Sequence, residues 1–214
     1  MNRLLFEKTG EAVYISHLDL MRIFQRAFRR ADIMIWHSQG FSPRAYVSIA
    51  MPLSVGASSR CEILDFEVED GSVDLRTLPQ KLNRTLPAGV RVLRAYESDR
   101  KIKHLKYLRA AVRLEYDGGV PDGAQAAIAA LFSEEHVLVH KRTKRGETDL
   151  DIRPLIRDCA VAQTEDGLAL DATVDASGES YLNPSYIAAF LDPAAEDVRV
   201  LRRRFLLADG GAFC

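Results

Sequence analysis

The chain has 214 residues, of which 47% are hydrophobic and 28% are charged, and its formal net charge is −1 at neutral pH. This length fits one large domain or two small ones, and the composition is that of a folded protein rather than a disordered one. A net charge near zero argues against a protein that binds nucleic acid with its whole surface, so a nucleic-acid site would have to be local.

The sequence shows no sign of membrane insertion or secretion. No apolar run approaches the roughly 18 residues that a membrane-spanning helix needs. The first residues, MNRLLFEKTGEAVYI, contain acidic side chains where a signal peptide would need a continuous apolar core. The cysteines Cys61, Cys159 and Cys214 are widely spaced and odd in number, which predicts neither a disulfide framework nor a zinc site. We expect a cytoplasmic protein that makes no contact with membranes.

The strongest local signals lie in residues 16–52, SHLDLMRIFQRAFRRADIMIWHSQGFSPRAYVSIAMP. Ser16 and Asp19 form a short capping box, which predicts that a helix begins here. Apolar residues recur along it at intervals of three and four, as on the buried side of a helix. The opposite side carries four arginines, which we call the arginine ridge: Arg22, Arg26, Arg29 and Arg30.

A loop that follows this helix is predicted to approach the arginine ridge. The strand-like run IMIWHS, the Gly/Pro loop QGFSPR and the strand-like run AYVSIAMPL come in that order. This order would bring His17, His37, Gln39 and Arg44 within reach of the ridge. Two interpretations are open, namely a solvated basic helix beside an ordinary turn, or an anion-binding site.

The first half of the chain has the element order of a ferredoxin-like unit. A strand around LLFEKTG and EAVYI precedes the helix, and after the second strand-like run come a strand in CEILDFEVED, a helix in SVDLRTLPQKLNRTLPAG and a strand in VRVLRAYES. Strand, helix, strand, strand, helix, strand is typical of the split βαβ arrangement, in which two helices cover one face of an antiparallel sheet.

The second half is predicted to repeat this architecture in a divergent form. Strands are indicated by YLRAAVRLEYDG, HVLVHKRT, the run at 147–163, GLALDATVD and VRVLRRRFLLA, and helices by PDGAQAAIAALFSEE and by PSYIAAFL after the capping residue Asn183. A turn is indicated at KRGETD, and a short helix at PLIRDC is the alternative within 147–163. The predicted fold class is therefore α+β, with two ferredoxin-like units in tandem, antiparallel sheets and helices on one face. The predicted domains are 1–98 and 105–214, joined by a basic linker at 99–104.

The sequence lacks the motifs typical of the common cofactor sites. The sequence contains no iron–sulfur cysteine motif, phosphate loop, dinucleotide fingerprint or HExxH motif, so no cofactor and no metal are predicted. The alternating acids Glu147, Asp149 and Asp151 could hold a hard cation, which is the less favoured interpretation. For catalysis the candidates are His17 and His37, either of which could act as a general base near arginine.

Segregated basic clusters favour contact with a phosphate backbone. Beside the arginine ridge, these clusters lie at 101–106, at 141–145 and at 202–204. Trp36, Phe41 and Tyr46 lie close to the ridge in sequence and could stack on bases, Phe41 being the one expected to be exposed. A core position for Trp36 is the alternative.

Residues 3–69 resemble the start of the radical-SAM-linked proteins, through the motifs SHLDLMR, SQGFSPR and MPLSVG, and KRTKRGETDLDIRP fits the same family. Ser42 stands where the family pattern has Asn. The resemblance implies a domain that occurs either as the C-terminal part of a radical S-adenosylmethionine protein or as a separate chain encoded beside one, and this chain resembles the separate form. It implies a partner rather than a reaction. At the level of architecture alone, the helix and loop also resemble tandem ferredoxin-like RNA-binding and repeat-processing proteins of CRISPR systems.

These observations predict a non-catalytic RNA-binding accessory protein that acts with a separate radical S-adenosylmethionine enzyme in modification of tRNA or rRNA. The predicted RNA-binding residues are His17, Arg22, Arg26, Arg30, Gln39, Phe41, Arg44, Lys144 and Arg145. One alternative is a metal-independent endoribonuclease that uses His17 or His37. The other is a protein–protein adaptor whose arginine ridge docks on an acidic surface of the partner enzyme.

Overall fold

A computed structural model describes residues 1–69, 73–143, 146–165, 167–178, 180–191, 195 and 197–214, with backbone alone at 141–143 and 189–191. The fold is mixed α+β with mainly antiparallel strands and few helices, which confirms the predicted class at this level. The chain forms two compact units, residues 1–102 together with Cys214, and residues 103–213. In the part that the structure describes, no helix is long and apolar enough to cross a membrane.

Among its described residues, the first unit has two α-helices and four strands. In chain order these are β1 (Asn2–Lys8), α1 (His17–Arg30), β2 (Val47–Ile49), β3 (Ser58–Phe66), α2 (Leu78–Asn83) and β4 (Val90–Glu97). Strand β1 pairs antiparallel with both β3 and β4, and β2 pairs antiparallel with the other edge of β3. The strand order within the unit is therefore β4, β1, β3, β2.

The core of the first unit fixes the orientation of α1. The apolar positions that the sequence spacing singled out on this helix are buried, namely Leu20, Phe24, Ala27 and Phe28. The ring of Phe24 packs edge-on against Phe6 of β1 at 4.7 Å between centroids, and Phe28 lies 4.8 Å from Phe66 of β3. Full burial of each such side chain contributes about 1.5–3 kcal/mol. Because this side of α1 faces the sheet, its arginines are left facing solvent.

Two predicted strand segments of the first unit have other conformations. The EAVYI segment forms a 3-10 turn at Gly10–Tyr14, because the buried ammonium of Lys8 donates hydrogen bonds to the carbonyl oxygens of Val13 and Ile15, each at 3.1 Å. The IMIWHS run makes only isolated bridges, from Ile35 to Val68 and from His37 to Ala45. Its pairing changes partner after one residue, so no continuous strand forms.

The second unit has a four-stranded sheet and a separate hairpin. Its elements are β5 (Tyr107–Glu115), α3 (Ala124–Leu131), β6 (Leu138–Thr143), β7 (Gly146–Asp151), β8 (Ile156–Gln163), β9 (Gly167–Asp175), α4 (Ser185–Leu191) and β10 (Asp197–Leu206). The antiparallel sheet order is β10, β5, β9, β8, while β6 pairs with β7 alone. The predicted run at 147–163 is thus divided between β7 and β8 by a 3-10 turn at Arg153–Leu155.

Candidate nucleic-acid interface

A cap at the start of α1 sets the position of the arginine ridge. The Ser16 hydroxyl accepts a hydrogen bond from the Asp19 backbone N–H at 3.2 Å and donates one to the Asp19 carboxylate at 2.7 Å. Arg22 donates to the same carboxylate at 3.0 Å. The hydrogen bond from Ser16, followed by the one from Arg22, holds the pKa of Asp19 below its usual value. The first turn of the helix is therefore fixed, and Arg22 lies directly beside it.

A cleft of about 600 Å³ opens beside the exposed side of α1. Three segments of the first unit line it, namely α1, residues 33–37 and residues 43–45. The lining residues are Arg22, Gln25, Arg26, Arg29, Ile33, Met34, Ile35, His37, Pro43, Arg44 and Ala45. We call this the arginine cleft, because it combines three arginines of the ridge with a fourth from the loop.

The loop is held opposite the helix by backbone pairing. The Tyr46 N–H donates to the Trp36 carbonyl at 2.8 Å, and the Ser38 N–H donates to the Arg44 carbonyl at 2.9 Å. The Arg44 N–H in turn donates to the Ser38 hydroxyl at 3.1 Å. Residues 36–38 and 44–46 therefore run antiparallel and place residues 39–43 at the tip. This pairing fixes the base of the loop, from which the Arg44 side chain reaches the cleft.

The arginine cleft is strongly cationic. Arg22 forms an ion pair with Asp19. The other three arginines of the cleft make no side-chain hydrogen bond or ion pair with any residue that the structure describes, namely Arg26, Arg29 and Arg44. Among the described residues that line the cleft there is no carboxylate. A guanidinium presents several N–H donors in a planar fork that matches the oxygen atoms of a phosphate. The arrangement therefore suits a phosphate-bearing ligand.

His37 adds a titratable group to the cleft. Its Nδ1 lies 3.2 Å from Oε1 of Glu69, and the Glu69 N–H donates to the Met34 carbonyl at 3.0 Å, which ties the two segments together. When the neutral imidazole donates through Nδ1 to this carboxylate, Nε2 is left as a hydrogen-bond acceptor. His37 then has the form of a general base beside a phosphate site.

The structure brings part of the predicted site together. Arg22, Arg26, Arg44 and His37 line the cleft. The predicted residues that do not line it are His17, half-buried at the start of α1, and Arg30, Gln39 and Phe41, all exposed. Lys144 and Arg145 lie outside the described residues. The RNA contacts themselves stay a prediction.

Two polar residues of the cleft, Gln25 and Arg29, were not among the functional residues predicted from the sequence. Gln25 and Arg29 follow Arg22 and Arg26 by three residues each, so they share the same side of α1. This spacing was available in the sequence. The Gln25 side chain lies between the ridge and the loop, where its amide donates to the Ala45 carbonyl at 2.9 Å.

The aromatic residues near the cleft differ in exposure. Phe41 is fully exposed at the tip of the loop. Trp36 is about one-third exposed, and its ring packs edge-on against that of Tyr46 at 6.0 Å between centroids. Phe41 is therefore accessible to a base, while Trp36 and Tyr46 mainly support the loop.

Several residues of the other basic clusters are engaged in structural contacts. Lys106 donates to Asp175 at 2.7 Å, and Arg203 donates to Asp171 at 2.9 Å. Arg202 is buried and donates to the hydroxyl of Tyr181. Such partners reduce the charge that these clusters offer to a ligand. The arginine ridge is better suited to a ligand because most of its members in the cleft have no such partner.

The alternating acids of β7 pair with histidines. The imidazole of His140 lies 3.0 Å from Asp149 and 3.2 Å from Glu147, and His136 lies 2.8 Å from Asp151. The hydrogen bonds with Asp149 and Glu147, in that order, raise the pKa of His140. No group of three or more possible metal ligands occurs in the part of the chain that the structure describes. All three of these acids therefore contact a histidine of the same hairpin or of the residues just before it.

Comparison with known proteins gives a family but no function. No curated protein matches the chain. Among solved structures, it is similar to a Cbf5-Nop10-Gar1 complex, with 11% identity, a TM-score of 0.46 and coverage of 95% of this chain and 48% of that one. It is also similar to an unknown protein from Galdieria sulphuraria, with 10% identity, a TM-score of 0.27 and coverage of 94% and 96%. The chain thus spans about half the length of the first of these, and both likenesses are too weak to bear on function. The model of the family described as "Uncharacterized protein conserved in bacteria (DUF2344)" matches residues 2–184, and the chain therefore belongs to this family.

Proposed function

We propose that the protein is a non-catalytic RNA-binding accessory protein that holds RNA through the arginine cleft. The observation that carries this proposal is the convergence of four arginines from α1 and the loop on one cleft whose described lining contains no carboxylate. RNA is a polyanion, and arginine is the side chain best matched to phosphate oxygens. Phe41 at the loop tip would add stacking on an unpaired base.

The strand orders support a finer description of the fold. The order β4, β1, β3, β2 of the first unit is that of a ferredoxin-like sheet. The second unit gives the equivalent order β10, β5, β9, β8 once the β6–β7 hairpin is treated as an insertion between α3 and β8. We infer two ferredoxin-like units in tandem. Proteins with this architecture have many different functions, so the fold alone does not indicate RNA binding and the cleft is the feature that supports it.

The proposed partner is a separate radical S-adenosylmethionine enzyme of the cytoplasm, and the proposed process is modification of tRNA or rRNA. The resemblance of residues 3–69 to radical-SAM-linked proteins supports this partner. The cysteines of this chain are poorly suited to thiolate chemistry, since burial raises the pKa of Cys159 to about 12 and Cys61 is buried. The reaction would therefore lie in the partner, and this chain would present the RNA.

RNA binding by the purified protein tests the proposal. We would measure the affinity for a single-stranded RNA across a salt series, for the protein and for the double variant Arg22→Gln/Arg26→Gln. Loss of two phosphate contacts should weaken binding and reduce the slope of log K against log salt by roughly 1.4. The matched control is Arg60→Gln/Arg91→Gln, which removes two exposed arginines of the same unit that lie outside the cleft. Equal losses in the two double variants would contradict the assignment of the cleft, and no binding at low salt would favour a protein–protein adaptor.

The contact between His37 and Glu69 favours a second candidate, a metal-independent endoribonuclease. His37 Nε2 would take the proton of a ribose 2′-hydroxyl, whose oxygen would bond to the adjacent phosphorus as the bond to the 5′-oxygen breaks. The leaving 5′-oxygen would take its proton from water, and the products would be a 2′,3′-cyclic phosphate and a 5′-hydroxyl. The cleft arginines would stabilise the developing charge. Cleavage of RNA in the presence of chelator that is lost in His37→Ala would establish this candidate, while binding without cleavage would leave the accessory function.

A further inference from the structure

We infer that the arginine cleft binds a terminal phosphate monoester of RNA rather than the phosphodiesters of a continuous strand. This inference rests on the proposed RNA-binding function and names the part of the RNA that the cleft recognises. A terminal phosphate projects from the end of the RNA, so it can enter a concave site. An internal phosphodiester is joined to a nucleotide on both sides, so the RNA would have to cross the opening of such a site.

The shape of the cleft favours binding of the end of an RNA chain over binding of its interior. Its volume of about 600 Å³ falls within the range of small-ligand pockets, roughly 300–1,000 Å³. A helix ridge alone would be an open surface that could track a backbone. Here Pro43 and Arg44 face that ridge, and Gln25 links the two sides through its 2.9 Å hydrogen bond to Ala45. A ligand in the cleft would therefore lie between helix α1 on one side and residues 43–45 on the other.

The charge of the cleft supports a monoester. A phosphate monoester carries a charge of about −1.5 to −2 at neutral pH and three strong acceptor oxygens, whereas a phosphodiester carries a single negative charge. Arg26, Arg29 and Arg44 have no carboxylate partner among the described residues. Arg22 and Arg26 are four residues apart on α1, and Arg26 and Arg29 are three apart, so their like charges repel. A dianion bound between them would relieve this repulsion more fully than a monoanion.

The apolar part of the lining supports a nucleotide attached to that phosphate. Met34 lines the cleft and is 61% exposed, and the buried side chains of Ile33 and Ile35 flank it. A methionine side chain adapts its shape to apolar ligands of irregular outline. Met34 would thus contact the sugar or base of the terminal nucleotide. Inorganic phosphate alone would leave this surface unused.

The test uses the full chain and three forms of one short single-stranded RNA. The forms carry a 5′-phosphate, a 3′-phosphate or hydroxyls at both ends, and isothermal titration calorimetry measures the affinity of each without a label. One of the two phosphorylated forms should bind at least about tenfold more tightly than the hydroxyl form, since charge-assisted hydrogen bonds are gained. The form that binds more tightly identifies the end that the cleft accepts.

Two single variants locate the effect. Arg44→Gln, in the exposed loop, should abolish the preference for the phosphorylated end. Arg60→Gln removes an exposed arginine of the same unit that does not line the cleft, and it should keep the preference. Equal affinity for all three RNA forms, or a preference that survives Arg44→Gln, would overturn the inference while leaving RNA binding intact. Failure of every form to bind would instead remove the proposed function itself.

Discussion

The side-chain amide of Gln25 donates a hydrogen bond to the backbone carbonyl of Ala45 at 2.9 Å, across a separation of 20 residues in the chain. This bond joins α1 to the loop that carries Arg44. The pairing of residues 36–38 with 44–46 holds the base of that loop, whereas the Gln25 bond joins it directly to the helix. The shape of the arginine cleft therefore depends on a residue that carries no charge.

Replacement of Gln25 by Ala tests that dependence. We expect a several-fold loss of RNA affinity, because the loop would no longer be held against the ridge, and a loss of only about 1 kcal/mol in the free energy of unfolding. Binding titrations and urea unfolding measure the two effects. Gln125→Ala is the matched control, since the Gln125 amide on α3 donates to the Val161 carbonyl at 3.5 Å in the other unit. A similar loss of affinity in both variants would show that the Gln25 bond does not shape the cleft.

Much of α1 could be predicted from sequence because its determinants are local. The cap at Ser16 and the buried residues Leu20, Phe24 and Phe28 follow from spacing within a single helix. The bond from Gln25 to Ala45 and the bonds from Lys8 to two carbonyls depend on how separate segments pack. No local sequence pattern indicates these contacts. The sides of the cleft, and the 3-10 turn that replaces a predicted strand, could therefore not be predicted from the sequence.

The second half of the chain shows the same division between local and long-range determinants. Alternation on β5 identified a strand whose inward residues, such as Leu108 and Val112, are fully buried. The strands of the β6–β7 hairpin were predicted, but their separation from the main sheet was not, because nothing in their sequence distinguishes them from strands of that sheet. What distinguishes it is its pairing: β6 pairs with β7, and β7 is followed by a 3-10 turn before β8 joins β9. Strand identity is local, whereas the choice of partner is not.

The buried ion pair of the first unit should dominate the response of its sheet to mutation. Arg3 donates to both oxygens of Asp65 at 2.6 and 2.9 Å, and the two side chains are only 2% and 7% exposed. Asp65→Ala should lower the free energy of unfolding by about 3–5 kcal/mol, since it removes the carboxylate that balances the charge of a buried guanidinium. Urea unfolding measures this loss. The double variant Arg3→Met/Asp65→Leu should recover much of it, and a double variant no more stable than Asp65→Ala would contradict the explanation.

An ion pair of the second unit should make stability depend on pH. The hydrogen bond from Arg109, the largest cause, lowers the pKa of Asp171, with Arg203 adding a second positive charge. Because the folded-state pKa is depressed, the carboxylate stabilises the protein above the usual Asp pKa of about 4, and this contribution is lost as the pH falls through the depressed value.

Asp171→Asn should accordingly destabilise the protein by about 1 kcal/mol at pH 7, a value kept small because Arg109 is largely exposed. The difference from the unchanged protein should shrink towards zero as the pH falls below the depressed pKa of Asp171, where both side chains are neutral at this position. Thermal unfolding between pH 2 and pH 7 follows the difference. Asp117→Asn, which replaces an exposed acid of the same unit, serves as the control, and a constant difference across the pH range would contradict the assignment.

Phe41 offers a test of base contact that is separate from charge. Its side chain is fully exposed at the tip of the loop, so its removal should leave the free energy of unfolding unchanged within about 0.5 kcal/mol. If it stacks on a base, Phe41→Ala should weaken RNA binding by about 1–3 kcal/mol, with the salt dependence unaltered because no phosphate contact is lost. Tyr14→Ala removes another exposed aromatic residue of the same unit and should leave binding unchanged. A reduced salt slope in Phe41→Ala would show that the loop had moved Arg44 away from the RNA, and unchanged affinity would remove Phe41 from the interface.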